Sequence, residues 1–442
     1  MSNSPLKTYY IITYGCQMNE HDSENLAGML ENMGWIPAEN EEEAQLIIMN
    51  TCSVRENADN RFYGTLGQFK KRKTEDPDFI LCVTGCMPQQ EKVQREIREH
   101  FGWVDILFGT QTLREFPQLL EARLRTGKKQ ISILADNPVL PKEEGAKRMH
   151  KHKAFVNITY GCNNFCTYCI VPYTRGREKS RSLESVVQEV RELASEGVVE
   201  ISLLGQNVNS FRDGEGNTFP DLLRALDGIP GIERIRFMTS NPKDLSEELI
   251  ACFRDLSHLC RHIHLPVQSG SSRILKRMNR RYDRERYLDV VRRLREACPD
   301  IAITTDIIVG FPGETEEDFL ETVALVREVR YDAAFTFIYS PREGTPAATF
   351  PDQIPEDVKH DRLNRLNEAV NEGAYAHNKA LEGLTLPVLV DGKSRRDDRF
   401  YQGRTDGFKL VNFKADRDYT GEIVPVCLTE CKTFSLNGEV EA

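Results

Sequence analysis

Apolar runs of strand length alternate with amphipathic segments of helical length along most of this sequence. In the N-terminal part the runs are YYIITY, LIIMN and ILCVT. A turn and an amphipathic segment follow each run, which is the pattern of successive βα units. Such units build a parallel sheet with helices on both faces, so the pattern predicts an α/β fold that begins with a doubly wound parallel sheet.

Each of these three runs ends at a cysteine, namely Cys16, Cys52 and Cys86. The separations of 36 and 34 residues correspond to one βα unit each. Because the carboxyl ends of parallel strands meet at one edge of a sheet, the three loops can converge on the crevice where such sheets bind ligands. Buried structural thiols are the alternative, and Cys82 inside ILCVT illustrates that role. The spacing favours a three-cysteine cluster.

A second strand–helix alternation begins at AFVNITY and continues through VEISLLG, IERIRFM, RHIHLP, DIAITTDIIVG and AAFTFIY. Helical stretches such as 183–195 and 315–329 lie between these runs. Six βα units in parallel arrangement predict a partial (β/α)6 barrel, whose site lies at the carboxyl ends of its strands.

The loop after the first of these strands, YGCNNFCTYCIVPYTRGR, places Cys162, Cys166 and Cys169 in a CxxxCxxC array. Three thiolates can hold three irons of one cubane cluster and leave the fourth iron open to a small molecule. A structural zinc knuckle is the alternative. It needs four ligands, and the nearest candidates, His150 and His152, precede the loop at unsuitable spacing. The array therefore favours a cluster that takes part in a reaction over a structural metal site.

This array resembles the cysteine motif of the radical S-adenosylmethionine (SAM) superfamily. The resemblance implies that the open iron binds the amino and carboxylate groups of SAM, and that one electron cleaves SAM to a 5′-deoxyadenosyl radical. Polar side chains at later strand ends would line the same barrel mouth, although each is more often a cap or turn residue. The cofactor contacts that we expect are Tyr168, Gln206, Asn207, Ser240 and Asp306, with Asn241, His264 and Gln268 at the same strand ends.

The last part of the chain follows a helical stretch from Pro355 to about Leu381 and has short strands with DG or NG turn signals at Asp391, Asp406 and Asn437. This pattern of short strands and turn signals predicts a small antiparallel β-barrel. Arginines interleaved with aromatic residues predict an RNA-contacting surface, with a plain β appendage as the alternative. The residues of that surface are Arg395, Arg396, Arg399, Phe400, Tyr401, Arg404 and Phe408. We interpret Cys427 and Cys431, at the end of a strand of this part, as structural thiols.

The charge balance limits the possible partners. A net charge of −10 and a pI near 5.6 argue against a protein coated with nucleic-acid-binding charge, although a local basic face remains compatible with these values. In the stretch 273–295, ten lysines and arginines face three acids. This stretch is either a solvated helix face or a phosphate-contacting surface, which Arg175, Arg177, Lys179 and Arg181 would extend.

Length and composition favour several domains and a reducing compartment. The expected boundaries are an N-terminal domain at 1–136, a linker at 137–153, a radical SAM domain at 154–382 and an RNA-binding domain at 383–442. Twelve cysteines suit reduced thiols and metal ligation. No apolar run approaches twenty residues and no secretory signal is recognisable, so we expect a cytoplasmic protein without a membrane span.

Taken in order, the three lone cysteines, the CxxxCxxC barrel and the C-terminal β module resemble the methylthiotransferase family of radical SAM enzymes. The resemblance covers essentially the whole chain, and its last part resembles an RNA-binding TRAM domain. The stretches YGCQMN, NTCSVREN, GCMPQ and HLPVQSGS resemble the branch that acts on tRNA. This resemblance implies insertion of a methylthio group at C2 of N6-isopentenyladenosine at tRNA position 37, beside the anticodon.

The resemblance also implies cofactors and partners. It implies two [4Fe–4S] clusters, one held by Cys162, Cys166 and Cys169 and an auxiliary one held by Cys16, Cys52 and Cys86 that receives a methyl group on sulfur. SAM would serve as methyl donor and as radical source. The implied partners are the tRNA anticodon stem-loop, an electron donor such as flavodoxin or ferredoxin, and a sulfur-supplying system.

Three alternatives stay open at this point. Two belong to the same family, namely action on a ribosomal-protein aspartate or on threonylcarbamoyladenosine in tRNA. The third is a non-catalytic RNA-binding protein with two structural metal sites.

Overall fold

The computed structural model describes residues 7–53, 56–134, 137, 145–394 and 397–441, with the side chains of 56–60 excepted. The chain divides into two compact units, which we call the first and second unit. The first contains Met1–Met149, Thr159–Asn164 and Cys169–Lys179, and the second contains His150–Ile158, Phe165–Tyr168 and Ser180–Ala442. Residues 138–144 of the predicted linker, together with Arg395 and Arg396 of the predicted RNA surface, lie outside the described residues.

The first unit contains the predicted parallel sheet. Strands β1 to β6 are Thr8–Thr13, Ile36–Pro37, Leu46–Thr51, Ile80–Gly85, Ile106–Phe108 and Gln130–Ser132. They pair in the order β2-β1-β3-β4-β5-β6, and every pair is parallel. Strands β3 and β4 are buried throughout because helices cover both faces, which is why their sequences are continuous apolar runs.

Four helices cover the two faces of this sheet. Helices α1 to α4 are Gln17–Asn32, Glu56–Glu75, Glu91–His100 and Phe116–Thr126. Helices α1 and α4 share one core with Leu46 and Ile48, whereas α2 and α3 share another with Ile47 and Met49. Successive residues of β3 therefore point to opposite faces, as the two-residue repeat of a strand requires. The prediction of a doubly wound sheet is confirmed.

The second unit contains the predicted partial barrel. Strands β7 to β14 are Lys153–Asn157, Thr159–Tyr160, Lys179–Ser180, Glu200–Leu204, Arg234–Phe237, His262–His264, Ala302–Val309 and Ala333–Ile338, of which Thr159–Tyr160 and Lys179 belong to the first unit. Six of them form the wall as two parallel three-stranded sheets, β11-β10-β7 and β12-β13-β14. A parallel bridge between Ile235 and Leu259 joins the two sheets, so the expected six-stranded wall is confirmed.

Helices pack around this wall on one continuous apolar core. Helices α5 to α12 are Val171–Thr174, Leu183–Ser195, Phe219–Asp227, Glu247–Asp255, Ser272–Arg277, Arg284–Ala297, Glu316–Val329 and Glu356–Lys379, with α5 in the first unit. Helix α11 begins with a capping box, in which Thr315 and Asp318 satisfy each other's backbone N–H groups. Within the described part of the chain, no helix is both long and apolar enough to span a bilayer.

The last five strands form a closed barrel. Strands β15 to β19 are Thr385–Lys393, Tyr401–Thr405, Leu410–Lys414, Ile423–Cys431 and Leu436–Val440, paired in the order β15-β16-β17-β19-β18. All neighbouring pairs are antiparallel except β17 and β19, which run parallel. The small barrel that we predicted is confirmed, with one parallel pair that the sequence pattern did not indicate.

Only one of the three predicted turns in this barrel is present. The turn at Asp406 connects β16 to β17, but Asp391 lies inside β15 and Asn437 lies inside β19. Both of those predictions were wrong because the glycines serve other purposes. The register of β15 shifts beside Asp391, and a Cβ on Gly438 would lie 2.5 Å from the carbonyl oxygen of Cys427 on the neighbouring strand.

Two arginines of β11 attach this small barrel to the wall of the larger one. Arg234 donates to the carbonyl oxygens of Arg404 and Pro387 over 2.8 and 2.9 Å. Arg236 donates to the carbonyl oxygens of Asp406 and Thr405, each over 2.7 Å, and to the Glu200 carboxylate over 2.8 Å. Both arginines are buried, so the C-terminal barrel is an integral part of the second unit.

Candidate functional site

The first unit brings the loops of its three predicted cysteines to one edge of the sheet. Cys16 precedes α1, Cys52 follows β3 and Cys86 follows β4, so all three lie at the carboxyl ends of neighbouring strands. The order of the sheet reverses between β1 and β3, which is where open α/β sheets bind ligands. Gly15 has φ +122°, and a Cβ there would lie 2.9 Å from Cys52 Sγ. The loop of Cys16 therefore lies directly against Cys52.

Two buried asparagines hold the beginning of α1 against the end of β3. Asn19 Nδ2 donates to Asn50 Oδ1 over 3.0 Å and to the carbonyl oxygen of Thr51 over 2.9 Å. Asn50 Nδ2 donates back to the carbonyl oxygen of Asn19 over 2.8 Å and to Ser23 Oγ over 3.0 Å. Cys16 Sγ in turn lies 3.3 Å from Asn19 Oδ1. This network fixes Cys16 and Cys52 as neighbours, and the sequence reasoning had assigned it no role.

A buried arginine lies beside these thiols. Arg175 donates to the Asp22 carboxylate over 2.8 Å, and Gln111 donates to its carbonyl oxygen over 2.7 Å. Burial lowers the pKa of Arg175, but Cys86, Asp22 and Cys16 outweigh burial and hold that pKa well above its ordinary value. Burial raises the pKa of the Cys86 thiol, and Arg175 opposes that rise. A phosphate-contacting role for Arg175 was wrong, because its charge is enclosed in the protein.

The cysteines of the CxxxCxxC loop fall in different units. In the first unit, Cys162 is buried, its N–H donates to the carbonyl oxygen of Gly176 over 3.1 Å, and the N–H of Asn164 points to its sulfur over 3.5 Å. Cys169 belongs to the same unit and is half-buried.

Cys166 belongs to the second unit, where an arginine contacts its sulfur. Cys166 is buried, and Arg280 Nη1 donates to its Sγ over 3.4 Å. The same guanidinium donates from Nε to Tyr282 Oη over 2.8 Å and from Nη2 to the carbonyl oxygen of Pro266 over 3.1 Å. Sequence reasoning had placed Arg280 in a basic stretch and had not singled it out, because nothing local links it to the cysteine loop.

Two of the expected cofactor contacts carry buried polar atoms without a partner. Asn207 and Ser240 follow β10 and β11, and within the described residues neither Asn207 Oδ1 nor Ser240 Oγ has a hydrogen-bond partner. The loops that carry them are tied together, because Asn209 and Asn241 exchange two hydrogen bonds of 2.9 Å. A buried polar atom without a partner costs free energy that a bound polar ligand can offset. These two side chains therefore fit a polar cofactor such as SAM.

The other expected contacts lie on neighbouring elements of the same wall. Asp306 on β13 lies 3.4 Å from His264 Nε2 on β12, and His264 Nδ1 contacts Thr304 Oγ1 over 3.0 Å. Tyr168 packs its ring edge against Phe311 with 6.4 Å between ring centroids. Gln206 is half-buried and directly precedes Asn207. His264 Nε2 and Asp306 thus lie close to each other, whereas the two buried oxygens of Asn207 and Ser240 have no partner within the described residues.

The donor set fits an iron–sulfur cluster by its chemistry. No group of three or more His, Cys, Asp or Glu side chains within the described residues is placed to hold a metal ion. A cubane cluster makes a different demand, because each thiolate binds a different iron atom. Thiolates are the ordinary ligands of such clusters, and cysteines occupy all six predicted ligand positions.

Most of the basic stretch is engaged in contacts within the protein. Eight of its ten cations donate to carboxylates, carbonyl groups or a thiol; these are Arg273, Arg277, Arg280, Arg284, Arg286, Arg292, Arg293 and Arg295. Lys276 and Arg281 are exposed and have no such partner among the described residues. The structure thus favours the ion-paired helix face over a continuous phosphate-binding surface. Arg181, also proposed for phosphate, is buried and donates to the carbonyl oxygen of Asn157 over 2.9 Å.

The predicted RNA surface of the small barrel needs a similar correction. Tyr401 lies in the apolar core of that barrel and is unavailable for stacking on a base. Phe408 lies between the guanidinium groups of Arg404 and Arg236, 4.3 and 5.2 Å from its ring centroid. Arg399 is exposed and pairs with Asp397 over 2.7 Å. Tyr401, Arg404 and Phe408 are therefore engaged in contacts within the second unit, whereas Arg399 is exposed.

Comparison with known families matches three segments of this chain. Residues 156–326 match the radical SAM superfamily, residues 379–440 match the TRAM domain, and residues 8–109 match the uncharacterized protein family UPF0004. These matches fall on most of the partial barrel, on the small C-terminal barrel and on most of the N-terminal sheet respectively.

Full-length relatives decide the family. The chain is 51% identical over 441 residues to a protein of Clostridium perfringens (strain ATCC 13124), covering 99% of both chains. It is 53% identical over 440 residues to one of Alkaliphilus oremlandii, covering 98% of this chain and 93% of the relative. Both relatives are named tRNA-2-methylthio-N(6)-dimethylallyladenosine synthase. This chain belongs to that synthase family. The family resemblance of the sequence is thereby confirmed, and membership of the radical SAM superfamily implies SAM and a [4Fe–4S] cluster.

Solved structures support the fold. The structure of the radical SAM methyltransferase TsrM from Kitasatospora setae, with tryptophan and a SAM analogue bound, superposes with a TM-score of 0.55. It covers 77% of this chain and 75% of its own chain at 16% sequence identity. At that identity the likeness concerns the fold alone, and it agrees with the α/β architecture described above.

Proposed function

We propose that this chain is a tRNA methylthiotransferase that inserts a methylthio group at C2 of N6-isopentenyladenosine at position 37 of tRNA. The observation that carries the proposal is the full-length identity of 51–53% to synthases named for this modified nucleoside. The two alternatives within the family are not favoured, since the relatives quoted above carry neither of those names.

Six cysteines are assigned to two [4Fe–4S] clusters. Cys162, Cys166 and Cys169 would hold the cluster that binds SAM, an assignment supported by their spacing within the radical SAM segment. Cys16, Cys52 and Cys86 would hold the second cluster, supported by their position at three adjacent strand ends. When bound, these groups and SAM supply a 5′-deoxyadenosyl radical and a methylated sulfur.

The remaining side chains of the candidate site would orient these groups. Asn207 and Ser240 offer one unpartnered oxygen each and are assigned to polar groups of SAM. Arg175 places a cation beside Cys86, where it opposes the rise that burial causes in the pKa of that thiol. Gln206, Asp306 and Tyr168 stay assigned as further cofactor contacts. Gln206 follows β10, and Tyr168 directly precedes Cys169 in the cysteine loop, whereas Asp306 lies inside β13 and not at the strand end that we predicted.

We also propose three kinds of partner for this chain, namely tRNA, an electron donor and a sulfur-supplying system. The TRAM segment and the named relatives support tRNA as the substrate, with the anticodon stem-loop as the part recognised. A radical SAM reaction requires an electron donor such as flavodoxin or ferredoxin. Each turnover also consumes sulfur, so a sulfur-supplying system must restore the second cluster. A cytoplasmic location agrees with all three partners.

Mass spectrometry of tRNA nucleosides tests the proposal directly. Cells that lack this gene should contain N6-isopentenyladenosine without its 2-methylthio derivative, and the intact gene should restore the derivative. Cys166→Ala should fail to restore it, whereas Cys427→Ser, which alters a half-buried strand thiol outside both proposed clusters, should succeed. A non-catalytic RNA-binding protein would leave the nucleoside profile unchanged in every strain.

A further inference from the structure

Arg280 has an unusual set of partners for a partly buried cation. It donates to the sulfur of Cys166, the hydroxyl of Tyr282 and the carbonyl oxygen of Pro266. Among the described residues no carboxylate lies within ion-pairing distance of it, although six other arginines of the same basic stretch pair with carboxylates. A cation withdrawn from water needs an anionic partner, and the contacts of Arg280 leave the sulfur as the group that can supply one.

The surrounding contacts hold this guanidinium on the sulfur. Tyr282 Oη accepts from Arg280 Nε and lies 2.9 Å from the carbonyl oxygen of Val267, so the phenol is itself fixed. All three nitrogens of the guanidinium are thereby engaged, and Nη1 is the one directed at Cys166. A change of side-chain conformation at Arg280 would break all three contacts together.

The turn that carries Arg280 also anchors the backbone on either side of Cys166. The N–H of Thr167 donates to the carbonyl oxygen of Met278 over 3.0 Å, and Asn279 Nδ2 donates to the carbonyl oxygen of Phe165 over 2.9 Å. The thiol and the cation are therefore positioned by one rigid contact between two short segments of the second unit.

We propose that Arg280 is a positioning residue that stabilises the reduced form of the cluster assigned to the CxxxCxxC loop. Reduction adds one electron to the cluster, taken from the low-potential donor, with no bond made or broken and no proton transferred. A cation that donates a hydrogen bond to a ligand sulfur favours the more negative state, which raises the reduction potential. This inference rests on the proposed function, because it requires that Cys166 ligates the cluster.

Potentiometric titration followed by electron paramagnetic resonance tests the inference. The full-length chain carrying Cys52→Ala, which removes a ligand of the second cluster, is reconstituted anaerobically and titrated with dithionite. Arg280→Gln and Arg280→Met remove the charge, and Arg280→Lys keeps it. Arg286→Gln is the matched control, because Arg286 is exposed in the same basic stretch and pairs with Asp289.

In the two neutral variants, the equilibrium constant for reduction of the cluster should be at least tenfold smaller than in the parent chain. This corresponds to a reduction potential about 59 mV lower for a one-electron couple. Arg280→Lys should fall between them and the parent, and Arg286→Gln should match the parent. Equal potentials in all variants would overturn the inference. So would loss of the cluster from both neutral variants, since Arg280 would then serve assembly and not the potential. No signal from the parent chain would instead contradict the cluster assignment itself, and the inference with it.

Discussion

Arg175 donates a hydrogen bond of 2.8 Å to the carboxylate of Asp22, 153 residues away in sequence, and both side chains are buried in the first unit. Removing one member of a buried ion pair leaves the other charge without compensation, which typically costs about 3–5 kcal/mol. We therefore expect Asp22→Ala to lower the free energy of unfolding of the cluster-free protein by an amount in that range, measured by urea denaturation.

An exposed ion pair provides the control for this prediction. Lys71 and Glu75 lie 3.7 Å apart on α2, with 83% and 65% of their side chains exposed. Glu75→Ala should change the free energy of unfolding by less than about 1 kcal/mol, because water screens such pairs. Equal effects of the two substitutions would contradict a structural role for the Arg175–Asp22 pair.

The second prediction separates the two proposed clusters. Cys52→Ala removes one ligand from the edge of the N-terminal sheet and leaves the CxxxCxxC loop unchanged. The reconstituted variant should bind fewer irons and still release 5′-deoxyadenosine from SAM when reduced, yet add no methylthio group to tRNA. Iron analysis and chromatography of the products measure all three quantities. If this variant formed the methylthio product at a rate near that of the wild type, the proposed sulfur-donor role of this site would be contradicted.

The third prediction concerns pH. Burial raises the pKa of Glu314 to about 7 from an ordinary value of 4.5, although the N–H of Gly310 and the guanidinium of Arg362 both oppose this rise. The folded chain then binds this proton more tightly than the unfolded chain. The carboxyl group therefore contributes stability below about pH 4.5, and that contribution is lost as pH rises to about 7.

Glu314→Gln should remove this pH dependence. Between about pH 4.5 and 7, the free energy of unfolding of the wild type should fall relative to that of Glu314→Gln, by up to about 3 kcal/mol. Urea denaturation at several pH values gives the difference, and Glu321→Gln, an exposed carboxylate of α11, should retain the wild-type profile. If the free energies of unfolding of wild type and Glu314→Gln depend on pH in the same way, the pKa of Glu314 does not differ between the folded and the unfolded chain, which contradicts the prediction.

The fourth prediction concerns tRNA. Lys276 and Arg281 are exposed and lack a partner within the described residues, whereas Arg292 pairs with Asp289 and Glu296. If the two unpaired cations contact phosphates, Lys276→Gln and Arg281→Gln should each reduce the slope of log K for tRNA against log salt by about 1. Arg292→Gln should reduce it less. The same slope in all three variants would place the contact surface elsewhere.

Local sequence patterns predicted the fold well. LIIMN and ILCVT were recognisable as strands because both of their faces are buried, which leaves a continuous apolar run. The grouping of Cys16, Cys52 and Cys86 followed from their spacing, since one βα unit separates each from the next. The two-residue repeat of β16, in which Tyr401 shares a face with Gly403 and Thr405 and opposes the polar Gln402 and Arg404, could also have placed Tyr401 in the core.

The contacts that organise the site could not be predicted in this way. Arg175 and Asp22 are 153 residues apart, and Arg280 and Cys166 are 114 residues apart. Such pairs leave no periodic signal, because the chain between them determines their distance. The glycines after Asp391 and Asn437 were misread for a related reason. A glycine that allows strands to approach or shift register has the same local sequence as one that forms a turn.

The attachment of the C-terminal barrel through Arg234 and Arg236 has a consequence for how this family can diverge. The groups of the small barrel that accept from these two arginines are all backbone carbonyl oxygens. Any residue type at positions 387, 404, 405 and 406 supplies that acceptor, provided that the backbone keeps its path. The residue types at these four positions can therefore change while the four hydrogen bonds persist, because those bonds depend on two arginines of the neighbouring strand and on the backbone alone.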